Sequence, residues 1–133
     1  MPRPRHESKI QIPPRVNGFI PLGYYSKETE PIKMNLEEYE AIRLLDYENL
    51  SQEQAAVIME ISRPTLTRIY ERARQKVAKT LVESHKLVLE GGKAIFDKGW
   101  FECNSCKSYF NTYADIEPET CPLCNEKEIL KIS

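Results

Sequence analysis

Residues 51–82 carry the strongest pattern in the chain, SQEQAAVIMEISRPTLTRIYERARQKVAKTLV. Ser51 is followed three residues later by Gln54, which is the spacing of a capping box at the start of a helix. Ser62 begins another helix, because Pro64 is tolerated in a first helical turn. The few residues between the two helices leave room only for a tight turn. Two capped helices, of which the second is longer and basic, predict a helix-turn-helix.

The second of these helices has two separate faces. At about 100° per residue, its basic side chains fall within about 80° of arc, apart from its apolar side chains. The basic face contains Arg68, Arg72, Lys76 and Lys79. The apolar face contains Leu66, Ile69, Tyr70, Ala73, Val77 and Leu81. We expect the apolar face to pack on the other helices and the basic face to remain available to a polyanion.

The first turns of this helix have side chains that suit a DNA groove. Arg63 and Arg68 can each donate two hydrogen bonds to the edge of a guanine. Thr65 and Thr67 can bond to phosphates or contact a thymine methyl group. These four residues are therefore the candidates for contacts with bases and with the nearby backbone.

Other basic residues suit the phosphate backbone or the minor groove. Arg72, Lys76 and Lys79 lie further along the helix, where phosphates are the expected partners. Arg3 and Arg5 belong to a short arm of the kind that enters a narrow minor groove. The alternative for the arm is a frayed, solvated terminus. The alternative for the helix is a solvated charged face, which is the usual fate of a charge run.

The segment before residue 51 divides into an arm and a helix. The first 34 residues contain six prolines and no helical periodicity. They predict an extended arm with one short strand around residues 18–22, because proline removes amide donors and disfavours helix. Asn35 and Glu38 then have the spacing of another capping box, so we expect a helix over residues 36–47.

Two β-prone runs follow the long basic helix. Residues 86–90 and 94–96 are separated by a glycine pair, which predicts a β-hairpin. The predicted fold class is therefore mainly α, with a helix-turn-helix domain, an extended N-terminal arm and a β-hairpin, followed by a small zinc-ribbon module. The corresponding domains are residues 1–34, 35–97 and 98–133.

The C-terminal module is predicted from four cysteines, Cys103, Cys106, Cys121 and Cys124. Two C-x2-C pairs can each present two thiolates from one tight turn, and together they supply four sulfurs for a tetrahedral site. A closed four-cysteine set favours structural Zn²⁺ and leaves no open position for catalysis. Rubredoxin-like iron shares this ligand set. Disulfides are disfavoured because nothing indicates export, and a thioredoxin-like pair would need a βαβ setting that this region lacks.

Composition and charge exclude several classes of protein. The chain has 133 residues, 41% of them hydrophobic, and a formal net charge of −1, which excludes a histone-like protein and indicates a packed core. The charge is segregated into +3 over residues 1–20, −6 over 21–60, +5 over 61–80 and −3 over 81–133. No apolar run approaches the roughly 18 residues of a membrane helix, and no signal peptide is evident. We therefore expect a cytoplasmic protein.

Two resemblances follow from these residues. Residues 50–77 resemble the promoter-binding C-terminal region of bacterial sigma factors. More widely, the chain resembles domain-of-unknown-function family 134, a prokaryotic family described as DNA-binding. This second resemblance rests on Pro2–Arg5, Phe19–Gly23, Leu36–Asp46, the helix-turn-helix and Leu89–Gly92. It covers about residues 1–96 and implies a DNA-binding function without naming a target.

The expected function is sequence-specific binding of double-stranded DNA by a transcriptional regulator, through the helix from about Arg63 to Val82. The alternative is an adaptor that docks the sigma-like helices and the zinc ribbon on a partner such as RNA polymerase. A third hypothesis is a redox-sensing or metal-sensing regulator. A homodimer would suit paired half-sites. No enzymatic activity is expected, because neither His6 nor His85 lies near a nucleophile motif and the chain lacks a glycine-rich phosphate loop.

Overall fold

Three α-helices occupy the centre of the described chain, which in this computed structural model comprises residues 8–92, 94–96, 99–112 and 117–132. They are α1 (Leu36–Ile42), α2 (Gln52–Met59) and α3 (Arg63–Glu83). A side chain caps each helix at the position that the sequence predicts, namely Asn35, Ser51 and Ser62. The first two caps are complete capping boxes. The predicted helix starts are confirmed.

The structure also shows where each of these helices ends. α1 continues directly into a π-helix, Arg43–Tyr47, so the helical segment as a whole matches the predicted residues 36–47. α2 ends at Glu60, which adopts the left-handed conformation with φ 56°. A turn of three residues then leads into α3, which ends within one residue of the predicted end. α2, the turn and α3 therefore have the lengths expected of a helix-turn-helix.

The first five strands surround the helices in two small sheets. They are β1 (Ser8–Ile10), β2 (Gly18–Phe19), β3 (Ile32–Met34), β4 (Leu87–Leu89) and β5 (Ala94–Phe96). β1 pairs in parallel with β5, while β4 is the central strand between β2 and β3. β4 is antiparallel to β2 and parallel to β3. The N-terminal segment therefore contributes one strand to the first sheet and two strands to the second.

The predicted β-hairpin is wrong, since β4 and β5 belong to different sheets. The glycine pair between them contacts the start of α1. The amide of Leu36 donates a 3.2 Å hydrogen bond to the carbonyl of Gly91. A Cβ on Gly92 would lie 2.7 Å from the Cβ of Asn35, and Gly92 has a φ of +89°. Glycine is required there for a close approach to a helix cap, which local sequence does not distinguish from a hairpin turn.

The predicted mainly-α class is also wrong, because eight short strands accompany the three α-helices in the described residues. The segment predicted as an extended arm carries three of these strands. Ile10 and Pro14 within it are fully buried. Strands of two or three residues leave almost no alternating pattern, and their pairing depends on residues far along the chain. The local sequence therefore contains little evidence for these short strands.

α3 connects two hydrophobic clusters in the N-terminal part. The first lies among the three helices and contains Ala41, Leu44, Ala55, Ala56, Met59, Leu66 and Ile69. The second joins α3 to the central sheet and contains Met34, Ala73, Leu87 and Leu89. Most of the predicted apolar face of α3 is therefore buried or half-buried. Leu81 is the exception, because its position near the helix end leaves it 75% exposed.

The last three strands form an antiparallel sheet with a separate core. They are β6 (Trp100–Cys103), β7 (Tyr109–Asn111) and β8 (Ile129–Lys131), with β6 in the centre. The rings of Phe101 and Phe110 stack with their centres 5.8 Å apart, in the same core as the two buried cysteines, Cys103 and Cys121. One backbone hydrogen bond of 3.3 Å, from Tyr109 to the carbonyl of Arg15, links this sheet to the N-terminal segment. None of the described helices is long and apolar enough to cross a membrane.

Candidate nucleic-acid interface and metal centre

The basic face of α3 contains residues in two different situations. Arg68 and Lys79 are exposed, and neither forms an ion pair or a hydrogen bond with another residue in the part of the chain that the structure describes. Arg72 and Lys76, between them in sequence, both contact a carboxylate of α1. The predicted basic face therefore contains two exposed cations and two cations that join α3 to α1.

Glu38 is the carboxylate that these two cations share. Its side chain is 1% exposed, and its Oε1 atom accepts hydrogen bonds from Lys76 Nζ at 2.7 Å and from the amide of Asn35 at 2.9 Å. Its Oε2 atom lies 3.6 Å from Arg72 Nε. A buried carboxylate without a cation is strongly unfavourable, so these contacts stabilise the packing of α3 on α1.

The first turn of α3 is partly occupied by contacts with α2. Arg63 forms a 3.2 Å ion pair with Glu53, and both side chains are largely exposed. The Thr67 hydroxyl lies 2.6 Å from Gln52 Oε1 and 3.0 Å from the carbonyl of Arg63. Arg63 can exchange an exposed ion pair for another anion at little cost. The internal hydrogen bonds make Thr67 a weaker candidate for a DNA contact than the sequence suggests.

Of the other residues predicted to contact DNA, Thr65 lies in the described part of the chain. The amide of Thr65 donates a 3.3 Å hydrogen bond to the capping hydroxyl of Ser62, and the two hydroxyls lie 2.8 Å apart. Thr65 therefore completes the start of α3 while remaining half-exposed. Arg3 and Arg5 lie outside the described residues.

A second buried ionic group lies under the N-terminal segment and was missed by sequence reasoning. Glu40 is fully buried, and its carboxylate accepts hydrogen bonds from Arg43 Nε and from the amide of Gln11, each at 2.6 Å. Arg43 Nη2 in turn donates to Gln11 Oε1 at 2.9 Å. Acidic residues near a helix N-terminus are stabilised by the helix dipole, so the sequence does not distinguish Glu40 from its neighbours Glu37 and Glu38. The available signal was that Glu40 and Arg43 are spaced for an ion pair on one helix face.

One further contact fixes α3 against the π-helix. The Tyr70 hydroxyl donates a 2.6 Å hydrogen bond to Asp46, and this bond raises the pKa of Tyr70. The guanidinium of Arg74 lies 5.3 Å from the centre of the Tyr70 ring on the exposed side. Arg74 projects from α3 on the side opposite the basic face, at about 180° from Thr65. It is therefore a natural control for the residues of the basic face.

The four cysteines come together at the C-terminal sheet. All four Sγ atoms lie within 4.8 Å of one another, and the Cys103–Cys124 and Cys106–Cys121 separations are 3.6 and 3.7 Å. Four thiolates around a metal ion at about 2.3 Å would be separated by about 3.8 Å in a tetrahedron. The cluster therefore has the dimensions needed to hold a metal ion, as the sequence predicts.

The two cysteine pairs have the same backbone hydrogen bonds. The first cysteine of each pair, Cys103 or Cys121, accepts at its carbonyl from the residue four positions later, at 2.9 Å in both cases. Each also donates from its amide to the carbonyl five positions later, at 2.9 and 2.8 Å respectively. The residue after each second cysteine, Lys107 or Asn125, has a φ of 64°. Two equivalent turns therefore present the four sulfurs, which matches the repeated C-x2-C spacing.

The protonation of the thiols differs across the cluster. Hydrogen bonds from the Ser108 side chain and backbone lower the pKa of Cys106 to about 6. The backbone amide of Glu126 lowers the pKa of Cys124, but burial and the neighbouring cysteines outweigh it and raise that pKa to about 12. Negative charge on one sulfur thus hinders ionisation of another. A bound cation removes this repulsion, because it stabilises all the thiolates together.

Comparison with known protein families assigns the chain to one of them. Residues 1–97 match the family described as "Protein of unknown function DUF134", and the chain belongs to this family. A UPF0251 protein of Chloroherpeton thalassium is 38% identical over 129 residues, which are 97% of this chain and 85% of the relative. A UPF0251 protein of Methanothermobacter thermautotrophicus is 39% identical over 133 residues, or 100% and 69% of the two chains.

A third relative comes from another organism. A UPF0251 protein of Clostridium acetobutylicum is 37% identical over 132 residues, which are 98% of this chain and 91% of the relative. No solved structure matches the chain significantly. The family is therefore shown by sequence, and its function has to be argued from the residues.

Proposed function

We propose that this protein binds double-stranded DNA in a sequence-specific way and acts as a transcriptional regulator. The observation that carries the proposal is the exposed basic face of α3, on which Arg68 and Lys79 have no partner among the described residues. α3 follows α2 through a three-residue turn, which is the order of elements in a helix-turn-helix. The N-terminal half of α3 would enter the major groove, and its C-terminal half would follow the backbone.

The contacts in the structure support different proposed roles for the basic residues. Arg68 is available for the edge of a guanine, and so is Arg63 once its ion pair with Glu53 is broken. Two hydrogen bonds to a guanine contribute about 1–3 kcal/mol of discrimination against other bases. Lys79 is available for a phosphate. Arg72 is 48% exposed and can contact a phosphate while it remains near Glu38. Lys76 contributes mainly to the packing of the helices, because Glu38 already accepts its hydrogen bond.

Selection of bound duplexes from a random DNA pool tests this proposal directly. We expect a defined sequence to be enriched, with binding that weakens as salt rises. Arg68→Ala should reduce affinity for the selected duplex by about 5- to 150-fold and flatten its base preference, as expected for a lost guanine contact. Arg74→Ala, on the opposite side of α3, should change neither. Absence of duplex binding at low salt, or equal effects of the two substitutions, would contradict the proposal.

We also propose that the cysteine cluster holds a structural Zn²⁺ ion through Cys103, Cys106, Cys121 and Cys124. Zinc accepts four thiolates in a tetrahedral arrangement and has no redox chemistry. Two equivalent turns and a core built around the buried Cys103 and Cys121 support a closed structural site. When bound, the ion would neutralise the thiolates and stabilise a sheet with only a small core, by an amount on the order of 10–16 kcal/mol.

Metal analysis of the purified full chain distinguishes zinc from iron. We expect one zinc ion per chain and no absorption in the visible range, since Zn²⁺ has a filled d shell. The Cys121→Ser variant should lose the metal, because it removes a buried ligand. A coloured protein with stoichiometric iron would instead support a rubredoxin-like centre.

A further inference from the structure

The ion pair between Glu53 and Arg63 joins the first turn of α2 to the first residue of α3. Arg63 Nη1 lies 3.2 Å from Glu53 Oε1, and the side chains of Arg63 and Glu53 are 61% and 78% exposed. An ion pair this exposed contributes little to stability, because water solvates both partners well. The pair can therefore open without disturbing the fold, and its main effect is on what else Arg63 can bind.

Other contacts hold the backbone of Glu53 beside Arg63 independently of the ion pair. The capping box at the start of α2 fixes the backbone on both sides of Glu53. Gln52, the preceding residue, lies with its Oε1 atom 2.6 Å from the hydroxyl of Thr67, one turn after Arg63 on α3. The first turn of α2 is thus attached to the first turns of α3. The Glu53 carboxylate therefore remains near Arg63 even when the ion pair opens.

The charge of Glu53 acts differently on the two kinds of acceptor that DNA offers to Arg63. Glu53 is the acidic residue in the first turn of α2, and the first turn of α3, which the structure describes in full, has none. A phosphate bound to Arg63 would lie close to the Glu53 carboxylate, and the two negative charges would repel each other. The edge of a guanine carries no net charge and is not repelled in this way.

We propose that Glu53 is a specificity-determining residue, which restrains Arg63 from phosphates and so weakens binding to unselected DNA more than binding to the selected sequence. The ion pair has to open in both kinds of complex, at little cost. Only a phosphate contact then places a second anion beside the Glu53 carboxylate. Glu53 therefore acts through Arg63. This role depends on the proposed DNA-binding function, because it concerns which DNA atoms Arg63 contacts.

Binding of the full-length Glu53→Gln variant to the selected duplex and to a duplex of unrelated sequence tests the proposal. Glutamine keeps the size of the side chain and removes its charge. At low salt, affinity for the unrelated duplex should rise about 3- to 10-fold, and affinity for the selected duplex by less than about threefold. The salt slope for the unrelated duplex should become steeper by about 0.9, because Arg63 then neutralises one more phosphate.

Glu71→Gln is the matched control, because Glu71 is an exposed residue of α3 that has no partner in the part of the chain that the structure describes. It removes the same charge without releasing an arginine, so it should raise affinity for the unrelated duplex by less than about twofold. An affinity for that duplex that Glu53→Gln leaves unchanged, or that both substitutions raise equally, would overturn the proposal.

A double-mutant cycle with Arg63→Ala separates restraint of Arg63 from a direct effect of Glu53 on the DNA. In the Arg63→Ala background, Glu53→Gln should raise affinity for the unrelated duplex no more than Glu71→Gln does, since no arginine remains to be released. An equal effect of Glu53→Gln in both backgrounds would show that Glu53 acts on the DNA directly, which would overturn the proposal.

The same titrations distinguish failure of this role from failure of the proposed function. If no sequence is enriched from the random pool, but Glu53→Gln still raises affinity for unrelated duplexes through Arg63, sequence-specific binding is contradicted and the restraint of Arg63 is supported. If a sequence is enriched but Glu53→Gln has no effect beyond that of Glu71→Gln, only the role of Glu53 is contradicted. If neither the wild-type chain nor the variant binds any duplex at low salt, both proposals are wrong.

Discussion

Lys76 Nζ lies 2.7 Å from Glu38 Oε1, and this contact joins the middle of α3 to the first turn of α1. The same carboxylate accepts the amide of Asn35 in the capping box of α1. The buried side chain of Glu38 thus caps the start of α1 and also attaches α3 to it. Lys76, which the charge pattern predicts to bind phosphate, therefore has a structural role.

The first prediction concerns this ion pair. Lys76→Ala should lower the free energy of unfolding by about 1–2 kcal/mol, less than the 3–5 kcal/mol for a fully buried pair, because Lys76 is partly solvated and Arg72 remains nearby. Lys79→Ala, on the same helix without a partner in the described chain, should change it by no more than about 0.5 kcal/mol. Urea unfolding measures both values. Equal effects would show that the contact contributes nothing to stability.

The second prediction separates the same two lysines in DNA binding. Lys79→Ala should make the dependence of log affinity on log salt shallower by about 0.9, the value for one phosphate contact. Lys76→Ala should change the slope much less, provided that the protein is folded at the temperature of the assay. Titrations of the selected duplex over a series of salt concentrations provide the slopes. A larger loss with Lys76→Ala would reverse the roles proposed for these residues.

The third prediction concerns removal of the proposed metal ion from the full chain. A strong chelator should unfold the sheet of β6, β7 and β8 and leave the helices intact, because the C-terminal core contains no residue of the two N-terminal clusters. Ellipticity at 222 nm should change little, while amide exchange of β6 should rise to that of an unfolded segment. Loss of the helical signal would instead show that the two parts fold as one unit.

The fourth prediction concerns the protons that the four thiols release when metal binds. Because the sheet should unfold without metal, the free thiols have their ordinary pKa of about 8.5, and not the unequal pKa values of about 6 and about 12 that Cys106 and Cys124 have in the folded cluster. Nearly four protons should therefore be released per metal ion throughout the range from about pH 5 to 7, and affinity should fall steeply with acid.

Calorimetric titration of Zn²⁺ in buffers with different heats of ionisation measures that proton count. A control with Lys107→Ala, which changes an exposed residue beside the cluster and no sulfur ligand, should give the same count. A count that is lower by about one at pH 7 than at pH 5 would show instead that the metal-free sheet stays folded with Cys106 already a thiolate.

The fifth prediction concerns the turn between α2 and α3. Glu60 adopts φ 56° and ψ 42°, a left-handed conformation that costs a residue with a Cβ roughly 1–2 kcal/mol. Glu60→Gly should raise the free energy of unfolding by about 0.5–1 kcal/mol, after the greater flexibility of glycine in the unfolded chain is counted. Val57→Gly, at an exposed position inside α2, should lower it by a similar amount. Destabilisation by both would indicate that the Glu60 side chain has a stabilising contact.

Local sequence alone determined the starts of all three helices and the cluster of four cysteines. A capping side chain bonds to an amide three residues away, so Asn35, Ser51 and Ser62 can be identified without knowledge of the fold. The cysteine turns are equally local, because each C-x2-C pair is held by hydrogen bonds that span four or five residues. These are the features for which prediction and structure agree.

Tertiary structure decided which strands pair and which charges remain available. β4 is separated from β2 by almost 70 residues, and its pairing depends on how the helices bring these segments together. Lys76 and Lys79 have the same charge and lie on the same face of α3, but only Lys76 faces the carboxylate of Glu38. Sequence periodicity assigns a side chain to a face of its own helix, whereas the partner on that face depends on the packing of another helix.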